Sequence, residues 1–246
     1  MALIGNNLQI FVVRHGERVD NCFGSDWLDN CFVHYKSTTN KSTIHSDHSI
    51  YQRFDLNLPK QLSYRLPVRL LDDYMHDTPI TELGVWQANN VGDALQGSRI
   101  QYVFCSPALR CVQTAHHIIQ TMGLIPNHNM IHNHNIANNH ASDTNTHSNG
   151  TQSNREFRGI CVEPSLYEWS GWLGDYEHKW LSPTQLRQNG LYVDPAYQPL
   201  SGIPNPDESQ YDYYKRNGDL IDQIIMKYAH TGVNRGNILI VGHMYV

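Results

Sequence analysis

Three short runs, LQIFVV at 8–13, IQYVFC at 100–105 and NILIVG at 237–242, are apolar almost throughout. A strand with one wet face alternates apolar and polar residues. A continuous apolar run is instead a strand covered on both faces, as in a parallel sheet. A shorter run of the same kind is ICVE at 160–163. Between these runs the pattern turns helical. Thr81 is placed to cap a helix running to about Leu95, with Gly97 as its stop. Pro107 is placed to open a helix over 108–122, closed by Gly123, and Ser182-Pro183 a short one near 183–189. Residues 208–229 carry Tyr214, Leu220, Ile221, Ile224, Ile225 and Tyr228 at helical spacing. Strands alternating with helices predict an α/β fold with a parallel core, and 246 residues are enough to bury one in a single domain over 1–246.

Two segments interrupt that rhythm. Residues 34–55 are polar and are expected to form a long loop. Residues 126–158 are so biased to Asn, His, Ser and Thr that they are expected to be a disordered surface insertion. His132, His134 and His140 within it have no regular ligand frame, so no metal site is assigned. The five cysteines, Cys22, Cys31, Cys105, Cys111 and Cys161, are scattered without a C-x-x-C pair and are expected to be reduced thiols. A net charge of -5 argues against a nucleic-acid partner. No apolar run approaches the roughly 20 residues of a membrane span. The N-terminus lacks the basic start of a secretory signal, so a cytoplasmic location is expected.

Polar chemistry gathers where the apolar runs stop. The first run ends in Arg14-His15-Gly16-Glu17-Arg18, the second in Ser106-Pro107-Ala108-Leu109-Arg110, and the last in Gly242-His243. In parallel sheets ligands bind beyond the carboxyl ends of the strands, so these groups are expected to converge. A fourth contributor, Glu168, lies between Tyr167 and Trp169 after the short run. Any one of these groups alone is most simply a packed histidine, a surface cation or a loop acid; the set is what carries a reading. It suits phosphoryl transfer, whose charge spreads over three oxygens and calls for several fixed donors. Arginine forks match phosphate geometry. A neutral imidazole can attack phosphorus. Gly16 would leave room for substrate beside the histidine. Glu168 among apolar rings would serve as general acid. Phe23, Trp27, Tyr167, Trp169 and Trp172 fit either a pocket for an aromatic ester or the core.

These residues also carry a resemblance. RHGER at 14–18, TPITELG at 78–84, SPALRCVQTA at 106–115 and IVGH at 240–243 are similar to the motifs of the histidine phosphatase, or phosphoglycerate-mutase-like, superfamily. RHGERVDNCFG, CSPALRCVQTAHHI, VEPSLYEW, WLSPTQL and LYVDPAYQP resemble in particular the phosphatase domain of the TULA family, the suppressors of T-cell-receptor signalling. The similarity spans about residues 8–246 apart from the 126–158 insertion.

The resemblance implies a three-layer α/β/α sandwich with a mostly parallel central sheet. It implies a phosphohistidine nucleophile at His15, phosphate-binding Arg14, Arg18 and Arg110, a second pocket histidine at His243 and a proton donor at Glu168, with no metal and no cofactor. The implied substrate is a phosphotyrosine protein or a small aromatic or steroid phosphate; nucleic acid and membrane are not among the expected partners, and a homodimer is left open. Family members continue past the second histidine with a further helix and strand. The domain is therefore expected to be truncated at its C-terminus, and Met244 stands where a small residue is usual. Two alternatives remain: a non-catalytic phospho-ligand binder, and a phosphoglycerate mutase or sugar bisphosphatase.

Overall fold

The apolar runs assemble into one parallel sheet. The structure, a computed structural model, describes residues 8–33, 50–62, 73–125, 157–169, 171, 180–228 and 236–244. Most of the expected loop at 34–55, nearly all of the 126–158 insertion with its histidines, and Trp172 lie outside the described residues. The strands are β1 (Ile10–Arg14), β2 (Phe32–Val33), β3 (Ile50–Tyr51), β4 (Ile100–Cys105), β5 (Cys161–Val162) and β6 (Asn237–Gly242). The helices are α1 (Val19–Phe23), α2 (Trp27–Cys31), α3 (Asp73–His76), α4 (Glu82–Ala94), α5 (Leu109–Thr121), α6 (Pro183–Gln188) and α7 (Gln210–Tyr228). The main sheet runs β1-β6-β4-β5, all parallel, while β2 and β3 form a separate antiparallel pair.

The last strand in the chain therefore lies between the first and β4. Its register sets Arg14 opposite Gly242 and Cys105 opposite Val241, which brings three strand ends to one line. Ile238 to Val241 are fully buried, as a continuous apolar run at the centre of a sheet should be. β1 departs from the expectation of burial on both faces: Val12 is 51% exposed. β1 pairs with β6 alone, and the face that carries Val12 is left partly uncovered.

Alternation sorts the core into two layers. Val103, Cys105, Leu239 and Val241 pack with Ile118 and Ile119 of α5 on one face, joined by Phe11 and Val13. Phe104, Ile238 and Ile240 pack with Leu220 and Ile224 of α7 on the other, joined by Ile10. This is the expected three-layer sandwich. Each such aliphatic side chain contributes about 1.5–3 kcal/mol on burial, and truncating Ile224 to Ala would cost about 2–5 kcal/mol.

The helix ends follow local chemistry with two differences. Thr81 accepts the Gly84 amide and caps α4, and Gly97 (φ 79°) and Gly123 (φ 71°) stand past the ends of α4 and α5 in the left-handed region. Ser182 and Gln185 close a capping box on α6, and Ser209 and Asp212 exchange the same pair of bonds at the start of α7. Pro107, however, stands outside α5, whose cap residue is Ala108 with no side chain to offer. Asp77, from a different segment, accepts the Leu109 amide at 2.7 Å instead. On α7 it is Tyr213, not Tyr214, that faces inward; Tyr214 is 46% exposed.

Candidate active site

The site begins one residue past β1. His15 extends the ladder by donating its amide to Gly242 O at 3.0 Å, so it stands beside His243 at the adjacent strand end. The two rings meet edge-on, with centroids 5.5 Å apart. The loop that follows is gripped by the start of α4. Thr81 donates its backbone amide to Glu17 O at 2.9 Å and its hydroxyl to Glu17 Oε1 at 2.8 Å. Gln87 Oε1 accepts the Glu17 amide at 2.9 Å. Gly16 and Gly84 lie in contact: a Cβ on Gly16 would stand 2.7 Å from Gly84 O, and one on Gly84 would stand 2.7 Å from Glu17 O. This corrects the expectation for Gly16. Its missing side chain makes room for α4, and the threonine and glycine of the TPITELG segment are explained by the same contact. From the other side, Thr114 of α5 accepts the Gly16 amide at 3.0 Å and donates to Arg110 O at 2.7 Å.

His15 is held in one tautomer. Its Nδ1 lies 2.8 Å from Gly16 O, and a carbonyl can only accept, so Nδ1 carries the proton and Nε2 keeps its lone pair. Burial, then the positive charges of Arg110, Arg14 and Arg18, lower its pKa to about 3 against the opposing bond to Gly16. The imidazole is neutral at ordinary pH.

Arg110, in the first turn of α5, is fully buried. Its Nη2 donates to Glu168 Oε1 and, at 3.4 Å, to His243 Nδ1. Its Nε and Nη1 are buried without a partner. Because the guanidinium can only donate, His243 Nδ1 is the acceptor. Nε2–H of His243 then donates to Ser106 Oγ at 2.9 Å. Burial, then Arg110, His15, Arg18 and Arg216, hold His243 well below the usual imidazole range, so it too is neutral. Cys111 Sγ lies 3.6 Å from the same Nε2; burial pushes its thiol up to about 12, so no thiolate forms beside the pair.

The remaining expected residues sit around this centre. Glu168 is buried, with Oε2 at 3.7 Å from His243 Nδ1. Its carboxylate is thus paired with Arg110, not isolated among rings as expected. Tyr167 packs edge-on against His243 (5.7 Å between centroids) and against Trp180. Arg18 presents its fork to Asp20, Nε to Oδ1 at 2.9 Å and Nη2 to Oδ2 at 2.5 Å. Arg14 is exposed, near enough for its charge to act on His15. Met244 is 54% exposed. Trp27 is core; Phe23 is half-buried and packs edge-on against Phe54. All five cysteines are free thiols. Among the described residues no helix is long and apolar enough to cross a membrane.

Residues to which the sequence pattern gave no role hold the site in place. Thr114 and Ser106 lie inside the SPALRCVQTA segment, so position alone was a signal. Asp77 carried none. Arg216 falls between Tyr213 and Leu220 on the buried stripe of α7, where a cation is out of place.

Comparisons with known proteins agree with this fold. The model of the histidine phosphatase superfamily (branch 1) matches residues 73–136. The chain is 34% identical over 239 residues to ubiquitin-associated and SH3 domain-containing protein B of Homo sapiens, covering 95% of this chain and 29% of that protein. It is 30% identical over 243 residues to the ecdysteroid-phosphate phosphatase of Drosophila melanogaster, covering 96% and 25%. The chain thus spans less than a third of the length of these curated relatives. The solved ecdysone phosphate phosphatase of Bombyx mori, in complex with tungstate, superposes with a TM-score of 0.69 at 27% identity, covering 96% of this chain and 73% of that one. The parallel sheet and flanking helices described above match the phosphoglycerate-mutase-like α/β fold of that neighbour. By motif, fold and relatives alike, this chain is similar to the histidine phosphatase superfamily.

Proposed function

We propose that this domain hydrolyses phosphate monoesters through a phosphohistidine intermediate. The observation that carries the reading is the free edge of Arg110. A buried guanidinium with two unpartnered nitrogens is costly unless an anion completes it. Next to it stands a neutral imidazole with a free lone pair.

In this reading Arg110 Nε and Nη1, Arg18 and Arg14 hold the phosphoryl oxygens, with His243 beside them. His15 Nε2 attacks phosphorus; the P–N bond forms as the ester P–O bond breaks. Glu168, in its acid form, gives its proton to the departing oxygen. Water then attacks the phosphohistidine, the P–N bond breaks, and the Glu168 carboxylate takes the proton of the water. Inorganic phosphate leaves and His15 is regenerated. The positive groups supply the charge stabilisation, so no metal enters any step.

An aryl or steroid leaving group is the substrate class we favour. Tyr167 borders His243, and relatives at 30% identity are named ecdysteroid-phosphate phosphatases. The free thiols fit a reducing, cytoplasmic setting.

The test is turnover of p-nitrophenyl phosphate with capture of the phosphoenzyme. His15→Ala is expected to abolish labelling and to lower kcat on the order of 10³-fold or more. A chelator is expected to leave activity unchanged. Binding of tungstate without turnover in the unaltered protein would favour the phospho-ligand binder instead. A strict metal requirement would overturn the mechanism.

A further inference from the structure

The segment that carries Glu168 has little regular structure of its own. After β5 the chain makes a single 3-10 turn, Pro164–Leu166, and then runs extended through Tyr167. Arg110 holds the carboxylate itself, and side chains from elsewhere fix the backbone that carries it. One does most of the latter. Arg216, on α7, donates Nη1 to Ser165 O at 2.5 Å and Nη2 to Tyr167 O at 2.9 Å, with Glu168 O at 3.3 Å. The guanidinium is itself fixed. Glu208 receives it through a fork, Nε to Oε2 at 2.6 Å and Nη2 to Oε1 at 2.7 Å, and the Tyr213 ring lies 4.8 Å beneath it. Glu208 also anchors the far side of the segment, because its carbonyl accepts Trp169 Nε1–H at 3.0 Å. Only an arginine can span three carbonyls and a carboxylate with one planar group.

We infer that Arg216, held by Glu208, is a positioning residue for the general acid: it fixes the 165–168 backbone so that Glu168 reaches the leaving-group oxygen. The inference rests on the phosphatase reading given above. Arg216 touches carbonyls of the acid segment and no substrate; its effect on the chemistry runs through Glu168. That predicts a specific kinetic signature. A good leaving group departs with little proton transfer, and a poor one depends on it. Misplacing the acid should therefore hurt poor leaving groups selectively. A fold defect would hurt all substrates alike.

The experiment compares p-nitrophenyl phosphate with phenyl phosphate for the wild type, Arg216→Gln, Glu208→Gln, Glu168→Gln and the Arg216→Gln/Glu168→Gln double variant. Arg216→Gln is expected to lose roughly 10- to 100-fold more kcat on phenyl phosphate than on p-nitrophenyl phosphate, the scale of a general acid's contribution. Formation of the phosphohistidine from p-nitrophenyl phosphate should persist. The double variant should be no more leaving-group-sensitive than Glu168→Gln alone, since both changes remove one function. Glu208→Gln, which keeps the carbonyl bonds but loosens the fork, should give the same pattern more weakly; it carries the test if Arg216→Gln does not fold. Equal losses on both substrates, or a double variant steeper than Glu168→Gln, would overturn the inference. Amide hydrogen exchange supplies a readout independent of activity. Folded Arg216→Gln or Glu208→Gln should exchange faster at 165–168, and unchanged exchange there would also overturn it. Turnover of the wild type that does not depend on His15 would sink the phosphatase reading, while the exchange measurement would still judge the clamp.

Discussion

His15 and Glu168 both border His243, yet they are held there by different means. His15 follows a strand directly, its amide continues the ladder to Gly242, and its loop is wedged between the starts of two helices by a glycine–glycine contact. Glu168 follows a single turn, and its backbone hangs on a guanidinium from α7. Packing without gaps fixes position to within tenths of an ångström, because any shift meets backbone. Hydrogen bonds to one long side chain fix it less stiffly. In the proposed mechanism the nucleophile and the phosphate oxygens have to be pre-aligned for in-line attack. The acid has to meet leaving groups of different shapes. The two constructions match those demands.

Arg110 is where the two sides meet, and its replacement is expected to have the largest effect on that contrast. Arg110→Lys keeps a charge but gives up the fork that holds Glu168 on one edge and is proposed to hold phosphate on the other. A loss on the order of 10²–10³-fold in kcat is expected, the cost of removing a pre-organised donor from a buried site. A lysine variant with near wild-type kcat would mean that the free edge of Arg110 is not the phosphate site.

Acid should act on the nucleophile's side first. His15 has a folded pKa of about 3 against about 6.5 unfolded, His243 is held well below its usual range, and His116 on α5 is lowered to about 4, chiefly by burial. Between those values the unfolded chain takes up protons that the folded one refuses. Stability is therefore complete above about pH 6.5 and falls as the pH drops toward 3, by a few kcal/mol in order of magnitude. Urea unfolding at about pH 7 and about pH 4.5 measures it. Replacing His15 by Asn should flatten the slope, and an unchanged slope would show that His15 is not held neutral by its surroundings. The same depressed pKa predicts that protonation of His15 does not limit turnover on the acid side until the pH nears 3.

How far each side was legible in the residues follows from the same difference. The strand-end arginines and histidines were readable because parallel strands deliver their C-terminal residues to one edge, so topology converts distant positions into neighbours. Arg216 was not readable as a clamp because its acceptors are main-chain carbonyls, which every residue has. Gly16 was misjudged for a related reason: a glycine announces room for something without saying what, and the occupant was Gly84. The cap of α5 comes from Asp77, outside its own segment, so no local pattern could reveal it. Val12 shows that apolar type alone does not distinguish a central strand from an edge one.

Gly84→Ala probes the wedge itself. The new Cβ would stand 2.7 Å from Glu17 O, 2.9 Å from the Ile80 Cβ and 3.0 Å from the Glu17 amide. Two of these are backbone atoms of the nucleophile's loop and cannot swing away. A destabilisation of about 1–3 kcal/mol is expected, as for other overpacked sites. Turnover should fall with it although Gly84 touches no substrate. Unchanged stability would mean that the loop is as pliant as the acid segment, and the contrast would fail.

The smallest effect has the opposite sign and lies on the acid's side. Gly218 stands inside α7, two residues past Arg216, and a Cβ added there would meet nothing within 4 Å. A glycine inside a helix costs about 0.5–1 kcal/mol relative to alanine, mostly through the freedom it retains when unfolded. Gly218→Ala should therefore raise Tm by about 1–4 °C for a chain of this size. Since the helix already holds its shape around Arg216, the ratio of phenyl phosphate to p-nitrophenyl phosphate turnover should stay put. A change in that ratio without a change in Tm would mean that α7 flexes during the reaction and that the clamp works by motion, in which case the acid's side is built to move and not merely to be less stiff.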